Sequence, residues 1–323
     1  MSDFPADRTL RIGTRSSPMA MAQATMVAGL LRKEQPGIRV ELVPVTTQAD
    51  RWHGDLAQVG GKGLFVKQID AMVQGGSVDM AVHCMKDVPG DIPLPQGLVF
   101  AAVLARDDVR DVLVFPQGSD LQTLDDLPVG AAVATSAVRR RAQLQRVRPD
   151  LAVVRVRGAV GTRIDKLDGT RESDTAADAA VLAASGLERL GLSHRGRQVF
   201  SVDELLPAVG AGVLALECRE DDGPVAELLG RLNHERTMAE VTAERAMLEG
   251  LRGHCNSPVA GYCATGQDGL LSLRGMVFTP DGSAFVEARL RGEPGEDPAA
   301  LGARACAELL RQGAAEIIEA IPH

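Results

Sequence analysis

The chain has 323 residues, 45% hydrophobic and 24% charged, with a formal net charge of −8. That balance is ordinary for a folded globular protein, excludes a disordered polar chain, and argues against nucleic acid as a partner. Aromatics make up only 3%, so the cores must be built from Ala, Val, Leu and Ile. The length suits two or three domains. The opening MSDFPADRTL has no apolar signal core, and no run of eighteen apolar residues occurs. A cytoplasmic protein without a membrane span is therefore expected. Five cysteines, at 84, 218, 255, 263 and 306, do not make a disulfide framework in a chain this size.

Residues 10–14, LRIGT, read as a strand, and 17–35 as a helix with Pro18 in its first turn. Residues 38–45 read as the next strand, which completes a β-α-β unit and favours a parallel sheet. VDMAVH, 78–83, is another strand. The pattern then recurs: strand 129–135, helix 136–147 with Ser136 as its cap, and strand 151–156. Both first helices carry an Ala-Gln step, Ala22-Gln23 and Ala142-Gln143, which points to two similar α/β domains. Residues 168–191 supply a strand and a helix, and 206–220 a strand with glycines at its start. From 231 the texture changes to a long helix at 233–251, a hairpin at 270–292 turning at PDG, and a closing helix at 297–321. That is the pattern of a small α+β third domain.

Several predicted helices start beside cationic and hydroxyl side chains, where free N–H groups attract anions. Arg15 stands at the first such start and Arg139 and Arg140 at the second. Arg157 ends a strand and Arg163 lies near the following helix. Between Arg139 and Arg163 there are eight arginines and a single acid, Asp150. Such a cluster suits a ligand with many carboxylates, because a guanidinium donates two parallel hydrogen bonds. A solvated helix face is the plain alternative. GGKG, 60–63, lacks the spacing of a phosphate loop and reads as a lid with Lys62 at its tip. In AVHCMKDVPG, 81–90, Lys86 and Asp87 follow directly on a strand. A carboxylate among arginines stays ionised and can steady a cation or carry a proton; a surface ion pair is the alternative. Cys255, in a glycine-bounded loop, reads as a reactive thiol. A zinc site from His254, Cys255 and Cys263 has no usual spacing, so no metal is expected. Cys218 and Cys306 read as core, His83 as structural, and Cys84 stays open.

The stretches LRIGTRSSPMAMAQA, GGKGLFVK, AVHCMKDVP, TSAVRR, RGAVGTR, LPAVG, LNHERT and VTAERA, with the cysteine loop near 255, occur in that order. Together they resemble the hydroxymethylbilane synthase family, also called porphobilinogen deaminase. The resemblance implies an α/β fold of two domains like class II periplasmic binding proteins plus a small α+β domain. The corresponding limits are 1–103 with 206–230, then 104–205, then 231–323. It implies a transferase that joins four porphobilinogen molecules head to tail, releases ammonia and hydrolyses the product from a covalent dipyrromethane primer.

Carried over residue by residue, the family's pattern attaches dipyrromethane to Cys255 and makes Asp87 the catalytic carboxylate with Lys86 beside it. Arg139, Arg140, Lys62 and Arg163 then bind the cofactor, and Arg15, Gln23 and Arg157 the substrate. A monomer is expected, with porphobilinogen as its small-molecule partner and possible transient hand-over of product to uroporphyrinogen-III synthase.

The sequence departs from the family's usual residues at Gln48, Ala49, Gln58, Cys84, Ala137, Ala159 and Ala211. Most of these changes remove a polar group or charge. They leave two alternatives in view: a divergent paralogue making a shorter or modified chain, and a non-catalytic polycarboxylate-binding module.

Overall fold

The computed structural model describes residues 4–5, 7–46, 63, 66–172, 176–252 and 257–320. β1 (Thr9–Arg15), α1 (Pro18–Glu34) and β2 (Arg39–Val45) form the expected first unit. Extended Ser17 accepts a hydrogen bond from Ala20 N, and Pro18 fills the first turn, where its missing N–H costs nothing. Ala20, Ala24, Val27 and Leu31 recur at helical spacing and are buried. α2 (Lys67–Gln74), β3 (Met80–Cys84) and β4 (Leu98–Val103) follow.

The chain then crosses to a second sheet. It contains β5 (Asp111–Val114), β6 (Ala132–Ala134), α3 (Val138–Val147), β7 (Ala152–Val154) and α4 (Val160–Leu167). β8 (Ala179–Ala183), α5 (Ala184–Arg189) and β9 (Gly196–Val199) complete it. The return is made by β10 (Leu214–Arg219) and α6 (Gly223–Gly230).

The sheet orders are β2-β1-β3-β10-β4 and β7-β6-β8-β5-β9, which correspond position for position. In each, three strands run parallel and the fourth is antiparallel to both its neighbours. The expected parallel sheet is thus a mixed one. The fourth strands, β10 and β5, arrive from the other sheet, so no local crossover helix fixes their direction.

α7 (Glu235–Gly250), β11 (Val259–Thr265), β12 (Leu271–Phe278), β13 (Phe285–Arg291) and α8 (Pro298–Arg311) make an antiparallel three-stranded sheet with helices, closed by α9 (Ala314–Glu319). Met247, Leu273, Val277, Leu301 and Leu309 share its core. α7 and α8 approach closely at Gly302, where a Cβ would lie 2.3 Å from Ala243 O.

Two further expectations change. The closing helix breaks at Gly313, whose φ of 100° lies in the left-handed region that ends helices. Ser136 does not cap α3: the N-cap is Ala137, and the Ser136 hydroxyl donates to Val156 O instead. Cys218 and Cys306 are core residues, as expected.

Buried polar pairs join the pieces. Arg106, in the first crossing, reaches Glu244 on α7 with Nη1 at 2.7 Å and Nη2 at 3.0 Å. Glu244 also accepts from Gly210 N and Cys263 N, so one carboxylate fixes a crossing, the return loop and the third sheet. Gln143 bonds both the N–H and the C=O of Leu206. No helix among the described residues is long and apolar enough to cross a membrane.

Candidate active site

Parallel strands deliver their C-terminal ends to one edge of a sheet, where side chains from successive strands meet. At that edge of the first sheet, Arg15 ends β1 and Gln23 lies one turn into α1. His83 and Cys84 end β3. With Ser17 and Asp87 they line a cavity of about 70 Å³. Gln23 is buried and its Nε2 donates to Cys84 Sγ at 3.0 Å. Burial pushes the Cys84 thiol up and the charge of Asp87 adds to this, while Lys86, Arg189 and the Gln23 hydrogen bond oppose it. Cys84 therefore favours the protonated thiol form in the wall.

Lys86 and Asp87 occupy a single 3-10 turn, Met85–Asp87, with both side chains exposed. The turn is held from behind. Met85 N donates to Val213 O at 2.9 Å. Gly210, at φ +72°, packs so closely that a Cβ would lie 2.7 Å from Met85 Cγ and 3.0 Å from Lys86 N. The glycine of LPAVG is required by that approach.

The second sheet supplies cations. Arg163, on α4, donates from Nε to Gly158 O at 2.8 Å. Burial pulls its guanidinium down to about 10, helped by repulsion from Arg140 and Arg157 and opposed by the charge of Asp87. Arg163 thus belongs to one electrostatic cluster with two further arginines and the carboxylate of the first sheet's turn. Arg157 and Arg15 are half-buried.

Arg139 and Arg140 sit deeper than the sequence suggests. Both are 7% exposed, and each donates to Asp111 at 2.7 Å. Arg139 also donates to Leu206 O and Arg140 to Val181 O. Burial alone would raise the Asp111 carboxyl, but the two arginines hold it far below the usual range. Asp111 and two backbone carbonyls anchor both guanidiniums in this wall. Lys62 and Cys255 lie outside the described residues, as do Gln48, Ala49, Gln58 and His254.

Three groups escaped sequence reasoning. Arg189 ends α5, where a basic residue reads simply as a partner for the helix dipole. In the structure it acts on Cys84, pairs with Asp107 and keeps a buried Nε that has no hydrogen-bond partner among the described residues. Asp111 opens a strand with no local signal of its two partners. Asp70 and Glu217 join His83 from separate elements. None of these partnerships has a fixed spacing along the chain.

A polycarboxylate cofactor finds a fitting wall here. Burial first, and then the charges of Arg140 and Arg157, act against the Arg163 cation, so a cofactor carboxylate placed beside it would be stabilising.

Residues 10–227 match the family described as porphobilinogen deaminase, dipyromethane cofactor binding domain, and residues 238–311 match porphobilinogen deaminase, C-terminal domain. The chain belongs to the porphobilinogen deaminase family. It is 50% identical over 318 residues to porphobilinogen deaminase 2 of Streptomyces coelicolor, covering 98% of this chain and 99% of that one. Among solved structures, lipoprotein Tp32 of Treponema pallidum is similar at TM-score 0.44 and 16% identity, over 72% of this chain and 94% of that one. The periplasmic VFT2 domain of Bordetella pertussis BvgS is similar at TM-score 0.38 and 18% identity, over 69% and 86%.

Proposed function

We propose that this porphobilinogen deaminase family member is a working hydroxymethylbilane synthase. It condenses four porphobilinogen molecules head to tail with loss of ammonia, then hydrolyses the linear tetrapyrrole from its primer. The observation that carries the reading is that Arg163 of the second sheet feels the charge of Asp87, on the first sheet's turn, together with those of Arg140 and Arg157. A carboxylate beside a cationic wall suits a reaction whose substrate is a dicarboxylate and whose intermediate is a pyrrole cation.

A dipyrromethane held by Cys255 would supply the free pyrrole carbon to which the first ring is added, and each later ring would be added to the one before it. The protein's residues then divide the work. Arg163, Arg157 and Arg15, with Lys62, bind acetate and propionate groups. Arg139 and Arg140 back this wall with buried charge. Asp87 stabilises the cation left on the substrate pyrrole as ammonia departs and carries the proton that the attacking ring gives up. Fixed charge of this kind is worth several kcal/mol in a transition state. Lys86 balances Asp87, and Gln23 orients the wall at Cys84.

The domain division follows the sheets: 1–103 with 206–230 around β1–β4 and β10, 104–205 around β5–β9, and 231–323 around β11–β13. The protein is a cytoplasmic monomer that passes its product to uroporphyrinogen-III synthase by transient contact.

Intact-mass measurement tests this reading. Protein from cells that make porphobilinogen should carry a dipyrromethane adduct, absent in Cys255→Ser. Added porphobilinogen should give stepwise mass gains with ammonia release. A clean unmodified mass would overturn the reading, and a chain that stops before four additions would replace it with the divergent paralogue.

A further inference from the structure

β3 and β10 run antiparallel with His83 opposite Ala215, so Glu217, two residues further along β10, shares the His83 face. Asp70 reaches the same place from the buried side of α2. His83 Nε2 lies 2.8 Å from Glu217 Oε2 and 3.8 Å from Asp70 Oδ1. All three residues are at most 5% exposed. Asp70 Oδ1, Glu217 Oε1 and His83 Nε2 have no aligned hydrogen-bond partner among the described residues, and the three residues' ligand-type atoms lie within 4.8 Å of one another. Buried polar atoms that converge without bonds are costly unless charge or a proton is shared among them.

The surroundings offer little else to balance two carboxylates. β4 sets Phe100 opposite Glu217, and α1 contributes uncharged Gln23. β1 ends at Arg15 on the cavity, and the turn beyond β3 carries exposed Lys86 and Asp87. Burial pushes the Asp70 carboxyl up to about 6, the charge of Glu217 adds to the rise and His83 opposes it.

We propose that Asp70, His83 and Glu217 share a proton beneath the cavity and act as positioning residues for the Met85–Asp87 turn. His83 is the connection. It faces the cavity on one side and the two carboxylates on the other, four residues before Asp87. With the shared proton present, the imidazole is drawn between α2 and β10 and the end of β3 is fixed. Without it, the two carboxylates repel and the end of β3 loosens. No bond is made or broken apart from the transfer of that proton to or from solvent. The positioning role rests on the reading of Asp87 given above.

The test uses the full-length, cofactor-loaded protein. Nitrogen-15 spectra of the His83 ring, assigned with His83→Gln, and the amides of 85–88 are followed against pH. Both sets should titrate together. Asp70→Asn should displace their common inflection by about one pH unit or more. The inflection of kcat against pH should move with it, while KM for porphobilinogen stays within about twofold. Glu217→Gln serves as the second variant if Asp70→Asn does not fold. Titration of His83 that ignores both variants would overturn the proposal, as would amides that do not follow the ring. One equivalent of metal in the wild type, lost in Asp70→Asn, would also overturn it by putting a cation in place of the proton. A protein that turns over no porphobilinogen would sink the proposed function alone, since the spectra still report whether the proton is shared and whether the turn responds.

Discussion

Asp111 is where β5 and α3 of the second sheet depend on a single carboxylate. It is 2% exposed and accepts from Arg139 Nη2 and Arg140 Nη2, each at 2.7 Å. Asp111→Ala would leave two guanidiniums buried without their counter-charge. Removing one partner from a buried ion pair costs about 3–5 kcal/mol, mostly from the charge left behind, and here two charges are stranded. Arg139 keeps Leu206 O and Arg140 keeps Val181 O, which limits the damage to the upper part of that range. With the chain unfolding as one cooperative unit larger than about 150 residues, about 1 kcal/mol corresponds to about 2–4 °C, so the unfolding midpoint should fall by about 10–20 °C. Asp111→Asn keeps one acceptor and should lose roughly half as much. Thermal and urea unfolding followed by circular dichroism measure both. Asp111→Leu combined with Arg139→Met and Arg140→Met should regain most of the loss, because apolar replacement of a buried ionic group is often neutral. An Asp111→Ala midpoint within about 2 °C of wild type would refute the claim that this cluster holds the crossing strand.

The other predictions concern helix caps, the reaction and acid stability. Ala137 and Ala159 are N-caps of α3 and α4 with no side-chain hydrogen bond, so Ala137→Ser and Ala159→Asn should each add about 0.5–2 kcal/mol in urea unfolding. Asp87→Asn should lower kcat by about a hundredfold or more in a porphobilinogen consumption assay. Because Asp87 is exposed, its unfolding midpoint should stay within about 0.5 kcal/mol of wild type. Asp79 is lowered to about 2: burial would raise it, but bonds from Arg11 and Arg8 prevail. A carboxyl depressed on folding adds stability that is present above its unfolded value near 4 and lost as the pH falls through about 2. Asp79→Asn should therefore cost about 1–3 kcal/mol at pH 7, and its deficit against wild type should close toward pH 2.

The sequence alone determined the elements whose signals are local. Helix α1 was legible because Ser17, Pro18 and the spacing of Ala24, Val27 and Leu31 each report within one or two turns. The third unit was legible because its hairpin turns on adjacent residues. The ordered motifs carried the family, and with it the candidate roles of Asp87 and Arg163. Tertiary structure decided everything that depends on partners far apart in the chain. The direction of β10 and β5 follows from crossings between sheets, which no periodicity records. The repeated Ala-Gln step was visible, but not its divergence: Gln23 holds Cys84 in the cavity wall, whereas Gln143 pins Leu206 in the return crossing. That Arg139 and Arg140 share Asp111, about thirty residues upstream, was not legible along the chain. His83 reads as structural, but its two carboxylate neighbours, Asp70 and Glu217, lie on other elements and have no signature along the chain. Backbone propensity acts over a few residues, whereas burial and charge pairing act through space, and only the folded chain brings those partners within reach.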